Sequence, residues 1–332
     1  MENDKIIIYQ TEDGQTQIDV RLENDMATKR LITSKELLRK LTNGEYKEII
    51  EFAAKRENNL DVQIRDNYLN IYYRGGNLLR IHPRSFFFDE FYFHRNVKQL
   101  RKTHLIEKAE KGDKKAISLW TRYKDERQRM FDILKEKGGI SRYCKEMKAV
   151  MDVWEEELNT IDISHDEKNE QQLISMNNRG ETDYTVIDLE YAVSTTSNFR
   201  YKGNQNKVVP RFDIIAVDKT GQLYVIELKT GLGAIDNESG IGPHMDCFEN
   251  TIGHDVKGEF IDEMYNLVEQ KKAFKLINPE ISIDKSKKPQ FIFAFSNKPG
   301  EDKYKEFVAA CKEKGYNGKI IYLDSSHQLK DV

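Results

Sequence analysis

Apolar positions change period several times along the chain. The opening, Ile6 to Val20, predicts two short strands around Glu12-Asp13-Gly14. From about Ser34 the spacing becomes helical, with Leu37, Leu38 and Leu41 on one face. A second helix through Glu45 to Lys55 turns Ile49, Ile50 and Phe52 inward. Tyr68 to Ile81 predicts a hairpin, with Gly75-Gly76 supplying the positive φ of a tight turn. Ser85 to Phe93 is aromatic enough for a further strand or a segment covering the core. Residues 1–93 therefore read as a small α+β module.

Residues 94–148 carry helical periodicity without a proline and break near Gly138-Gly139. Trp120, Tyr123, Met130 and Leu134 share a helical face, and Lys115, Arg122 and Arg129 point elsewhere. Ser164-His165-Asp166-Glu167 is a capping box opening a helix to about Met176, which carries Glu170. In Thr185 to Val193, Ile187, Leu189, Tyr191 and Val193 alternate with Asp188 and Glu190, the pattern of a half-buried strand. A polar loop, Ser194 to Lys207, follows with Arg200, Lys202 and Lys207. Later come a glycine-rich loop over 230–243, an amphipathic helix from Phe260 to about Ile277, and the apolar strand Gln290 to Ser296. A helix through Phe307, Val308 and Cys311 leads to a last strand, Lys319 to Asp324.

The stretch with the most chemistry is Arg211 to Lys229, two β-rich runs around the turn Asp218-Lys219-Thr220-Gly221. The first run carries Asp213 and the second ends Glu227-Leu228-Lys229. Side chains alternate along a strand, so Glu227 and Lys229 leave the same face. Two carboxylates and an ammonium at one end of a hairpin suit a divalent cation, a phosphate and an attacking water. Glu-x-Lys alone decides nothing, since it begins also at Glu45, Glu146, Glu269 and Glu301. Those four lie in polar, helix-like or loop-like surroundings, where an exposed ion pair suffices. Only Glu227 ends an apolar strand that follows an Asp-bearing one.

Asp213, thirteen intervening residues and Glu227-x-Lys229 resemble the core motif of the PD-(D/E)xK nuclease superfamily. The usual proline is displaced to Pro210. The resemblance covers roughly residues 164–332. It implies an α/β fold with a restriction-endonuclease-like αβββαβ core, preceded by a basic helical segment (94–163) and the N-terminal module. It further implies a nuclease that binds Mg²⁺, with Mn²⁺ as the substitute, through Asp213, Glu227 and the backbone carbonyl of Leu228. Lys229 would orient water and stabilise developing charge. Glu170 is the candidate for the metal-holding Glu on the preceding helix, and Glu190 is its rival. Arg211 and Gln270 are candidate phosphate contacts. The setting implied is bacterial restriction or anti-phage defence. A catalytically inactive nucleic-acid-binding or assembly protein on the same fold remains the alternative.

Composition narrows the partners. The net charge of −3 conceals a segregated pattern: residues 94–148 hold 17 Lys or Arg against 8 Asp or Glu. Neutralised phosphates release counterions, so concentrated positive charge is the footprint of a nucleic-acid surface. Lys115, Arg122 and Arg129 are the candidates there, and double-stranded DNA is the expected partner. Arg74, Arg80, His82 and Arg84 on the early hairpin are either phosphate contacts or simply solvated. No apolar run approaches a membrane span, and three widely spaced cysteines suit a reducing cytoplasm. His244, Cys247 and His254 are too irregularly spaced for a recognisable zinc site. Symmetric cutting of a duplex would require a homo-oligomer, although no coiled-coil heptads mark one.

Overall fold

The computed structural model describes residues 5–10, 16–21, 30–88, 108–159, 166–193, 211–229, 240–255, 258–296 and 301–331. Strands β1 (Lys5–Gln10) and β2 (Thr16–Arg21) pair antiparallel. Helix α1 (Lys35–Thr42) starts at Ser34, whose hydroxyl accepts from the Leu37 amide, and α2 (Lys47–Ala54) follows.

A four-stranded antiparallel sheet comes next, ordered β3 (Asp61–Arg65), β4 (Tyr68–Tyr73), β5 (Gly76–Ile81), β6 (Phe86–Phe87). Alternation gives it two unlike faces. Val62, Ile64, Leu69, Ile71, Leu79 and Ile81 are buried in one core with Ile49, Ile50, Tyr143 and Met147. Tyr143 and Met147 come from α4 (Gly139–Asn159), which pairs with α3 (Lys114–Lys135) across the break expected near Gly138-Gly139. The other face carries Asp61, Gln63 and Arg65 on β3, Tyr68, Asn70 and Tyr72 on β4, and Arg80 on β5. The hairpin turn is displaced one residue from the expected Gly75-Gly76. Positive φ falls at Arg74 (47°) and Gly75 (75°). A Cβ on Gly75 would stand 2.8 Å from the Asn169 amide nitrogen, so the tip abuts the helix α5 (Asp166–Asn177). Of the aromatic run 85–93, only Phe86–Phe87 is strand among the described residues. Ser164 of the capping box and residues 194–207 lie outside them, as do the side chains of Glu167, Lys115 and Arg122.

The large sheet is mixed. Its order is β12 (Leu329–Lys330), β11 (Ile320–Leu323), β10 (Gln290–Phe295), β9 (Leu223–Lys229), β8 (Arg211–Asp218), β7 (Tyr184–Ala192). Strands β7, β8 and β9 form an antiparallel meander, whereas β10 runs parallel to both β9 and β11. One face packs Ile214, Ile226, Ile292 and Ile321 with Ile174 of α5. The other meets Met264, Leu267 and Val268 of α7 (Glu259–Ala273) and Phe307 of α8 (Glu301–Glu313). That second core continues without a break into the small sheet. Helix α7 stops at Ala273, short of the expected Ile277, and β12 has no counterpart in the sequence pattern. Residues 230–239 of the expected loop lie outside the described residues; its last three open α6 (Ile241–Glu249), with Pro243 tolerated in the first turn. Among the described residues no helix is long and apolar enough to cross a membrane.

Strand β7 is not half-buried, as its alternation suggested. A register shift between Val186 and Asp188 and a positive φ at Glu190 (49°) break the period. Asp188 is fully buried, with Arg30 Nε at 2.8 Å and Arg65 Nη1 at 2.7 Å. Arg65 also donates to the Leu189 carbonyl (3.2 Å) and Arg30 to the Glu190 carbonyl (2.6 Å). Nearby, Ser175 Oγ and Gln63 Nε2 both donate to the Asp61 carboxylate (2.7 and 2.8 Å), and Lys271 Nζ donates to Gln63 Oε1 (3.1 Å). Burial holds the Lys271 ammonium down at about 8, against the pull of Asp61 and Asp188. The polar face of β3 is thus tied to β7, α5 and α7. Removing one member of a buried ion cluster leaves the others uncompensated. Asp188→Ala is expected to cost about 3–5 kcal/mol in urea unfolding; a loss below about 1 kcal/mol, the range of surface pairs, would contradict this role.

Candidate functional site

The last paired rungs of β8 and β9 are Ile215 with Val225 and Ile214 with Ile226. One step further along the same register, Asp213 stands opposite Glu227. Directly opposed residues share a face, and like charges in that position repel. The Asp213 carboxyl lies within hydrogen-bonding reach of Glu227. Its Oδ2 accepts from the Leu228 amide at 2.9 Å, and Gln171 Nε2 donates to its Oδ1 at 3.4 Å. Lys229 Nζ lies 3.2 Å and His244 Nε2 3.1 Å from Glu227 Oε1. Glu227 and Lys229 are only 5% and 4% exposed.

Burial, then the Asp213 charge, pushes the Glu227 carboxyl well above the usual carboxylate range, and Lys229 pulls the other way. Glu227 Oε2 is buried and takes no donor among the described residues. Helix α6 closes this side, with His244 and Cys247 one turn apart. Burial and then the Glu227 charge push the Cys247 thiol up to about 11. The Cys311 thiol of α8 is pushed up to about 12 by burial, with Lys229 opposing.

Two facing carboxylates with a buried oxygen that takes no donor are satisfied by a shared proton or by a cation. Among the described residues no group of three or more His, Cys, Asp or Glu side chains is placed to hold a metal ion. An all-oxygen pair of carboxylates nevertheless fits Mg²⁺, which uses one or two carboxylates and completes its shell with water and phosphate oxygens.

The other predicted residues scatter. Glu170 reaches the same end of the sheet, where it accepts from Ser296 Oγ, and the Ser296 amide donates to the Lys229 carbonyl (2.8 Å). Its neighbour Gln171, rather than Glu170, touches Asp213. Glu190 lies on the edge strand, half exposed and 3.8 Å from Arg211, which is itself 67% exposed. Leu228 is observed giving its amide to Asp213, and its side chain packs in the opposite core. Gln270 is not a phosphate contact: it is fully buried, and its amide both accepts from Ile32 N (3.0 Å) and donates to Ile32 O (2.7 Å). Arg129 is paired with Glu146, which Arg142 also contacts (3.1 Å). Gln171, His244 and Ser296 were not anticipated as site residues. For His244 the visible signal was its nearness to Cys247, weighed only as a zinc site and set aside for its irregular spacing.

A cleft of about 120 Å³ has Gln171, the partner of Asp213, in its wall. Gln171, Tyr72, Lys168 and Glu190 are among its walls. It lies where the small sheet meets α5 and β7.

Because the folded state raises the Glu227 pKa, the stability of its neutral form is complete below the unfolded value of about 4.3. It is lost as pH rises through the folded value. Glu227→Gln keeps the neutral form. In chelator its melting temperature should therefore gain on the parent protein's as pH rises. A constant difference from acid to neutral pH would show that the fold does not raise the Glu227 pKa. No family model matches the chain, and no curated protein or solved structure matches it; the reading of the site rests on its own geometry.

Proposed function

We propose that the protein is a divalent-metal-dependent nuclease with Asp213, Glu227 and Lys229 as its catalytic set, acting on DNA. The observation that carries the reading is the opposition of Asp213 and Glu227 across β8 and β9, with the Lys229 ammonium beside them. The order helix, three-stranded meander, helix, parallel strand supports a restriction-endonuclease-like core. The basic surplus of residues 94–148 supports a nucleic-acid substrate.

A divalent cation bound here would supply Lewis-acid polarisation of a phosphodiester and a better water nucleophile. Asp213 and Glu227 would hold it, and Mg²⁺ with Mn²⁺ as substitute suits two carboxylates. The Leu228 amide and the Gln171 amide fix the Asp213 carboxylate, so its orientation is set before any ligand arrives. Lys229, nearly buried, presents a fixed positive charge where negative charge gathers on phosphate oxygens in the transition state. His244 orients Glu227 from the far side. A role in restriction or anti-phage defence follows from the resemblance and from the basic segment joined to this core.

Purified protein with Mg²⁺ should cut supercoiled, linear or single-stranded DNA, and a chelator should stop it. Asp213→Ala and Lys229→Ala should each lower the rate by about 10²-fold or more. The melting temperature of Asp213→Ala should stay within several degrees of the parent's, about the effect of 1 kcal/mol, whereas Lys229→Ala, which takes the cation from the buried Glu227, should melt lower. Cutting that survives both substitutions would remove the site from the reaction. DNA retarded on a gel yet never cut would indicate a binding protein on this fold.

A further inference from the structure

We infer that the open half of the small sheet's polar face is a track for single-stranded nucleic acid, leading towards the cleft that Tyr72 and Gln171 line. The inference names the substrate class of the proposed nuclease and in that respect rests on it. The register lines up Gln63, Asn70, Arg80 and Phe87 across β3, β4, β5 and β6. Directly opposed residues share a face, so this row crosses the sheet. At its β3 end the face is sealed: Gln63 is fully buried against Ser175 and Lys271. At its β6 end the face is open, and Phe87 is the large apolar side chain left 42% exposed.

The open half is built from three rings and one guanidinium, with Phe87 exposed and Tyr68, His82 and Arg80 half-buried. The Tyr68 and His82 rings stack at 4.8 Å, and Phe87 meets His82 edge-on at 5.2 Å. The Arg80 guanidinium lies 5.1 Å from the Tyr68 ring centre and donates to Asn70 Oδ1 at 3.0 Å. Burial and the Arg80 charge lower the His82 pKa, which favours its neutral, stacking form at pH 7. Asn70 donates in turn to the Tyr72 hydroxyl (2.7 Å), and Tyr72 is a wall of the cleft. Gln171, another wall, donates to Asp213. Phe87, His82, Tyr68 and Arg80 therefore share one face, which the Asn70–Tyr72 contact joins to the cleft.

That combination selects the occupant. Exposed rings interleaved with cations bind the faces of unstacked bases and the phosphates between them. Duplex bases already stack on one another and offer no free face. The expected ligand is thus a single strand rather than the duplex that the charge pattern suggested.

The test is fluorescence anisotropy of the full chain with labelled oligothymidylate and with a duplex of equal length, in chelator so that nothing is cut. The single strand should bind more tightly. Phe87→Ala and Arg80→Ala should each weaken it roughly tenfold, as loss of one stacked base does, and Phe87→Trp should restore affinity. Equal binding by the two ligands, or no effect of either alanine, overturns the track; so does absence of binding to both. The two readings fail separately. Phe87-dependent binding without cutting in Mg²⁺ leaves the track standing and removes the nuclease. Cutting that ignores Phe87 does the reverse.

Discussion

A carboxylate with no exposure to water, held between two guanidinium groups, fixes how the two halves of this protein meet. Asp188 comes from the edge strand of the large sheet, Arg65 from the small sheet and Arg30 from the segment before α1. An ion in that position is costly to bury unless its partners are well placed. Once they are, the small sheet has only one way to lie against β7. The cleft between the small sheet, α5 and β7 is a product of that placement, because its walls come from both sides of the junction.

The candidate site works against the fold rather than for it. Two acidic groups face each other across adjacent strands, one of them almost fully buried, and the Glu227 carboxyl holds its proton well beyond the normal range in consequence. Sites that concentrate unrelieved charge of this kind are common where function needs it and stability does not. Lys229 and the amide of Leu228 offset part of the repulsion. The surrounding apolar strands make the remainder tolerable.

The hairpin from Arg211 to Lys229 was legible because its residues alternate cleanly and its turn is written in Asp, Thr and Gly. The face shared by Glu227 and Lys229 follows from that alternation, and the strand register then sets Asp213 opposite Glu227. Strand β7 misled for the opposite reason: Asp188 and Glu190 look like a solvated face, and only contacts from residues far earlier in the chain show that Asp188 is buried. Gln270 misled likewise, since its amide completes the backbone of Ile32, more than two hundred residues away. Gln171 and His244 reach the site by helix packing, which leaves no periodic trace. Residues 230–243 read as a loop because glycine and proline mark breaks, yet a proline in a helix's first turn is no obstacle to it.

Gly75 carries a mechanical consequence. Its amide donates to Gln172 Oε1 at 2.6 Å, and its missing side chain lets the hairpin tip seat against α5. Gln171, the next residue back on that helix, holds Asp213. The hairpin and the acidic centre are therefore joined through a single helical turn, like a lever and its fulcrum. A side chain at the tip would run into the backbone of α5, so the turn that carries Gln171 would have to give way with it.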